Sequence, residues 1–193
     1  YYTNGTLAAA PTVGTTAPLT ITGISVPAGG NATIIYEAAT NEFTPRGNEN
    51  SVVNTATVTG AGLANPVTAT ESVSPVAAPD LSITKSVNPG VVAENGQLTY
   101  TFIIENYGNT EASAADNVVI TDTFNPILTG ISVSYNGMAW AEPANYTYNE
   151  TNGSFATVAG QITVPAATFT QDAVTGIITT TPGTATVTVT GTI

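Results

Sequence analysis

Along much of this chain every second residue is apolar, in short runs separated by clusters of Gly, Pro, Asn and Asp. The runs are APLTITGISV (17–26), NATIIYEA (31–38), SVVNTATVTG (51–60), PVTATESV (66–73), DLSITKSV (80–87), QLTYTFIIEN (97–106), NVVITDTF (117–124), GISVSYNG (130–137), GQITVPAATF (160–169) and TATVTVTGTI (184–193). A period of two marks strands with one buried face. Asn95-Gly96 and Asn136-Gly137 fall between runs, where a two-residue hairpin turn needs positive φ at both positions. Many short strands with regular turn signals predict an all-β sandwich.

The stretch SVSPVAAPDL (72–81), with Pro75 and Pro79, cannot continue a central strand and reads as a stiff linker, so a module boundary is expected near residue 78. An internal repeat supports two modules. YYTNGTL (1–7) parallels YTYNETNGSF (146–155), and SVPAGGNATIIYEA parallels TTPGTATVTVTGTI. The modules are cut at different points: 1–78 is expected to be the C-terminal part of one sandwich, and 79–193 a second sandwich lacking its final hairpin. Either the chain is an excerpt from an array, or neighbouring subunits complete its open edges by strand addition.

Parity singles out three polar residues. Leu81, Ile83 and Lys85 share one strand face; Val118, Ile120, Asp122 and Phe124 share another; Val52, Asn54, Ala56 and Val58 share a third. An amine, a carboxyl and a carboxamide thus sit on apolar parity, where an unpaired charge is costly. One reading is structural: a bulge shifts the register, Lys85 snorkels to solvent at an edge, and Asp122 caps a turn before Asn125-Pro126. The other is covalent. A desolvated amine loses its proton more readily and a desolvated acid keeps its own, so Lys85 can attack a nearby asparagine carboxamide while Asp122 polarises it, forming an isopeptide with release of ammonia.

DLSITKSVNP, GQLTYTFIIENYGN and NVVITDTF, together with an NTATVTG strand, resemble the conserved repeat domains of large bacterial surface proteins, relatives of the Ig-like isopeptide-forming modules of Gram-positive fimbrial proteins. The resemblance covers most of the chain. It implies tandem Ig-like sandwiches, an extracellular location on a bacterial surface, and a mechanical or adhesive role. It also implies a crosslink of Lys85 to Asn54 with Asp122 as the acid, and Glu71, on inward parity with Val67, Ala69 and Val73, as a rival acid. Lys85 and Asn54 belong to different modules, so such a bond would join one subunit to the next. In the bland reading the family keeps the lysine without crosslinking.

Composition narrows the remaining choices. With 13 acidic residues against two cations, net charge −11, no His and no Cys, the chain lacks the means to grip nucleic acid, the commonest metal ligands, disulfides and thiol catalysis. No apolar run reaches membrane-span length, and Tyr1 begins without a signal segment, as in a mature fragment. No Ser-His-Asp, Walker or Gly-x-Gly-x-x-Gly pattern occurs, so no enzymatic turnover is expected.

Three lesser candidates remain. Tyr135, Trp140, Tyr146, Tyr148 and Phe155 either stack a glycan or close one end of a core. Glu111, Asp116, Asn117 and Glu142 offer oxygen ligands but no calcium-loop spacing, so no cofactor is expected. Sequons at Asn4, Asn31, Asn145, Asn149 and Asn152 matter only in a glycosylating source. The expected function is a structural subunit or stalk of a bacterial surface fibre or pilus-like filament, bound head-to-tail to copies of itself. The alternative is a surface adhesin that holds glycan or host protein on the aromatic loops.

Overall fold

A computed structural model of the chain describes residues 1–16, 18–47 and 51–193; Ala17, which opens the first predicted run, lies outside these. The fold is all-β, with several small antiparallel sheets of sandwich character. Two compact units are present, Tyr1–Asn41 and Glu42–Ile193. By this division the described residues from Glu42 to Ala78 belong with the second unit. The Ile178 N–H donates to the Glu42 carbonyl (3.0 Å), and Asn109 Nδ2 donates to the carbonyls of Arg46 and Val76 (3.0 Å each).

The first unit contains β1 (Tyr2–Thr3), β2 (Thr6–Leu7), β3 (Thr12–Thr16), β4 (Leu19–Thr22) and β5 (Ala32–Thr33). β1 lies between β2 and β5, and β3 pairs with β4. The run NATIIYEA thus yields a strand of only two residues, because β1 offers it only Tyr2 and Thr3 as partners. None of the unit's described residues is buried. Tyr1, Val13, Leu19, Ile21, Ile34 and Tyr36 instead line an apolar groove of about 450 Å³.

The second unit opens with a detached hairpin, β6 (Val52–Val58) and β7 (Val67–Val73). There follow β8 (Leu81–Asn88), β9 (Gln97–Asn106), β10 (Thr121–Thr123), β11 (Thr129–Tyr135), β12 (Met138–Trp140), β13 (Tyr146–Asn149), β14 (Ser154–Thr157), β15 (Thr168–Gln171), β16 (Ile178–Thr181) and β17 (Gly183–Thr192). A five-stranded sheet runs β12-β11-β17-β9-β8 and a three-stranded sheet β10-β14-β13, with β15 and β16 paired apart. The repeat motifs YYTNGTL and YTYNETNGSF both fold as hairpins, β1/β2 and β13/β14. Their companions diverge, since β5 pairs with β1 whereas β17 pairs with β9 and β11.

The core forms where the two larger sheets of this unit face each other. Leu98, Tyr100, Phe102 and Ile104 of β9 and Ala185, Val187 and Val189 of β17 meet Phe124, Leu128, Tyr146, Phe155, Ile162 and Val164. Each large side chain buried here contributes about 1.5–3 kcal/mol. The opposite face of the five-stranded sheet carries hydroxyls, bonded across strands as Thr99–Thr190 (2.9 Å) and Ser134–Thr188 (2.6 Å). Asn136-Gly137 turns β11 into β12 with positive φ at both residues (48° and 80°). Asn95 alone has positive φ in the other Asn-Gly pair (61°), where an eight-residue connection joins β8 to β9. The run GQITVPAATF is broken by Pro165, which lacks a ladder N–H; Val164 makes only an isolated bridge to Ala112.

The aromatic end of this core carries a pH signature. Burial first, and the Glu142 carboxylate second, hold the Tyr146 phenol above its ordinary 10.0. Burial likewise raises Tyr148, partly offset by the Leu128 N–H, which donates to its hydroxyl (2.9 Å). Below the unfolded value both states keep the proton and stability is complete; above it the unfolded chain ionises first and stability drains away. Thermal unfolding should therefore give a constant midpoint up to about pH 10 and a falling one beyond, and Tyr146→Phe should flatten that fall.

Candidate functional site

Lys85 and Asp122 meet at the open side of the sandwich. β8 is the edge of the five-stranded sheet and β10 the edge of the three-stranded one. Lys85 lies across from Phe102 and Asp122 across from Phe155, both core residues, so amine and carboxylate each point inward. The Lys85 Nζ forms an ion pair with Asp122 Oδ2 that spans the two sheet edges. It also lies over three rings, with centroids at 4.7 Å (Tyr100), 5.5 Å (Phe124) and 5.6 Å (Phe102). The negative ring faces attract its positive charge, as the carboxylate does.

The surroundings of the pair are unfinished. Every residue of β8 is exposed, although Leu81, Ile83 and Val87 share the inward parity of Lys85; Ile83 is 54% exposed. The three-residue β10 cannot cover an eight-residue strand. Ile120 and Phe124 direct their backbone bonds to Thr157 and Gly153, so by alternation Thr121 and Thr123 turn theirs to the open side. Asp122 Oδ1 accepts the Thr123 N–H there (2.9 Å). Water reaches the amine, which is 40% exposed, more readily than the carboxylate at 18%.

Removing one partner tests what the pair contributes. Lys85→Met leaves the buried Asp122 Oδ2 without its cation and should cost on the order of 1–3 kcal/mol in urea unfolding. The exposure of the lysine keeps the loss toward the low end. The double variant Lys85→Met/Asp122→Leu should recover most of it, because both charges are then gone.

The other expected site residues lie elsewhere. Asn54 faces Glu71 in the β6–β7 register, on a separate two-stranded sheet whose residues are all exposed. The aromatic cluster closes the sandwich end. Tyr146 and Phe155 are buried, Tyr148 hydroxyl donates to the Leu128 carbonyl (2.9 Å), and Tyr135 stacks on Trp140 (5.0 Å) while its hydroxyl donates to the Thr163 carbonyl. Asp116 accepts from the Ser113 N–H (2.7 Å) and hydroxyl (2.8 Å), the hydroxyl first and the N–H second holding its carboxyl below the usual range, and Glu142 accepts the Tyr148 N–H (2.8 Å). Among the described residues no three acidic groups gather as a metal site, and no helix is long and apolar enough to cross a membrane.

Two residues that shape the site were not singled out by sequence. Asn106, fully buried, receives the N–H groups of Asp80 and Gly108 (2.9 Å each) at Oδ1, and its Nδ2 donates to the carbonyls of Thr110 (2.7 Å), Pro165 (3.0 Å) and Val164 (3.3 Å). It anchors the start of β8. Its place on the buried parity of Leu98, Tyr100, Phe102 and Ile104 was the available signal. Asn109 donates to the carbonyls of Arg46 and Val76, which precede and follow the β6–β7 hairpin in sequence, and accepts the Ala78 N–H (3.1 Å). Beside it Gly108 touches the Ala78 carbonyl so closely that a Cβ would stand 2.2 Å from that oxygen. No sequence period marks Asn109. No protein-family model, curated protein or solved structure matches this chain.

Proposed function

We propose that this chain is a structural subunit or stalk segment of a bacterial extracellular fibre, assembled head-to-tail by β-strand addition between modules. The observation that carries this reading is the uncovered inner face of β8. Leu81, Ile83 and Val87 stand on core parity yet are exposed beside two open sheet edges, and exposed edges with apolar faces are templates for another chain. The first unit adds a second apolar surface in need of cover, with Leu7 at 70% and Ile35 at 72% exposure. The lysine-poor, cysteine-free, Thr-rich composition suits a surface protein, and the resemblance to bacterial surface repeats suits a stalk.

Lys85 and Asp122 fit the crosslink chemistry within this reading. The Lys85 ammonium first passes a proton to the Asp122 carboxylate; the freed amine attacks the Asn54 carboxamide of another copy, the new N–C amide bond replaces the carboxamide C–N bond, and the departing nitrogen takes the amine's second proton and leaves as ammonia. Electron microscopy and light scattering of purified protein test the assembly: filaments growing with concentration are expected, and isolated particles at every concentration refute it. Intact-mass analysis tests the bond. A covalent multimer lighter by one ammonia per junction is expected, and Lys85→Met should abolish it while leaving the noncovalent assembly.

A further inference from the structure

The β6–β7 hairpin and the slot between β8 and β10 are complementary, and we propose that the slot of one copy receives the hairpin of a second copy, added along the free edge of β10. This rests on the assembly reading above and names its contact. The hairpin has two unlike faces. One carries Val52, Ala56, Val58, Val67, Ala69 and Val73 around the cross-strand pair Asn54 and Glu71; the other carries Thr55, Thr57, Thr68, Thr70 and Ser72 with Val53. The hydroxyl face is already satisfied across the strands, Thr55 to Thr70 at 2.9 Å. The valine face is exposed throughout. A two-stranded hairpin in water is marginal by itself and gains stability when one face is covered.

The slot presents the matching pattern. On β8 the inward residues are Leu81, Ile83, Lys85 and Val87, one polar position among apolar ones, as Glu71 is on β7 and Asn54 on β6. The lengths agree, with seven residues in each hairpin strand and eight in β8. Glu71 is the one anionic group of the valine face, and in the slot it would share with Asp122 the ammonium of Lys85, one of two cations in a chain of net charge −11. Thr121, whose backbone groups turn to the open side, offers the edge on which the ladder extends, enlarging the three-stranded sheet until it covers β8; the Thr123 N–H beside it is already taken by Asp122 Oδ1. The chain's own hairpin is exposed on every residue, so it does not fill its own slot.

The test uses the whole chain in sedimentation velocity over a concentration series. Val58→Asp spoils the valine face of the donor, and Thr121→Pro removes an edge N–H of the acceptor at a position that proline tolerates in an edge strand. Ile83→Asp serves as a second acceptor variant. All three positions are exposed, and circular dichroism checks that the fold is retained. Each variant alone should associate more than about a hundredfold more weakly than the parent, because a desolvated unpaired carboxylate or a blocked edge is costly. A mixture of Val58→Asp with either acceptor variant should form a heterodimer and nothing larger, since one intact slot meets one intact hairpin. Thr57→Asp, on the hydroxyl face, should behave as the parent. Parent and Val58→Asp assembling alike, or a mixture that stays monomeric, overturns the hairpin proposal while leaving a filament possible by another contact. A parent that is monomeric at every concentration, including by seating its own hairpin, overturns both.

Discussion

Phe124→Ala should destabilise the second unit by about 3–5 kcal/mol, read as a lower urea midpoint with an unchanged slope. The residue is 1% exposed and its ring meets Tyr100 at 4.8 Å, Phe155 at 5.6 Å and Tyr148 at 5.9 Å. It therefore joins β9, the β13–β14 hairpin and the end of β10 in one packed group. Alanine leaves a cavity that these rings cannot close without leaving their own positions, since the backbone around them is set by two sheets. The ammonium of Lys85 also loses one of its ring faces. At roughly 2–4 °C per kcal/mol for a chain of this length, Tm should fall by about 6–20 °C. Phe124→Leu, which keeps most of the volume, should cost less than about 1.5 kcal/mol. Similar losses for the two substitutions would show that packing at this position is not what holds the sheets together.

The second large effect is expected at Asn106. Asn106→Leu keeps the size but strands the N–H groups of Asp80 and Gly108 beside the sandwich. Each orphaned donor costs about 1–3 kcal/mol, so a total of about 2–6 kcal/mol is expected by chemical denaturation. Hydrogen exchange should accelerate first at the start of β8, the segment the side chain holds. Asn106→Asp gives the sign of the donor contribution. It retains the acceptor for Asp80 and Gly108 but turns a carboxylate toward the carbonyls of Thr110, Val164 and Pro165, which disfavours the charged form. A carboxyl whose folded pKa is raised keeps its stability below the unfolded value and loses it as pH rises. The Asp variant should therefore be weakest at neutral pH and recover on acidification, whereas Leu should show no such recovery.

The two asparagines show how far a linear reading carries. Asn106 ends a ten-residue strand of strict alternation, so its burial follows from the same parity that places Phe102 and Ile104. That it binds five backbone groups does not follow, because those groups come from positions 80 to 165, brought together only when the chain closes on itself. Asn109 lies in a corner with no period at all, and its bonds to Arg46, Val76 and Ala78 join segments that only the folded chain brings together. Proline stiffness marks a place where a strand stops; it does not decide which side the flanking segments bond to.

Side-chain direction is a local property of a strand, which is why alternation alone put Lys85 and Asp122 on apolar parity and predicted a chain built of β-strands. Strand pairing is non-local, and so only the tertiary structure decided that β8 and β10 end their sheets on the same side, that the amine and carboxylate meet across that opening, and that Asn54 stays with Glu71 on a separate hairpin. The physical reason is the range of the interactions: a period of two is set by each residue's own backbone, whereas an edge is open or closed according to what the rest of the chain can bring to it.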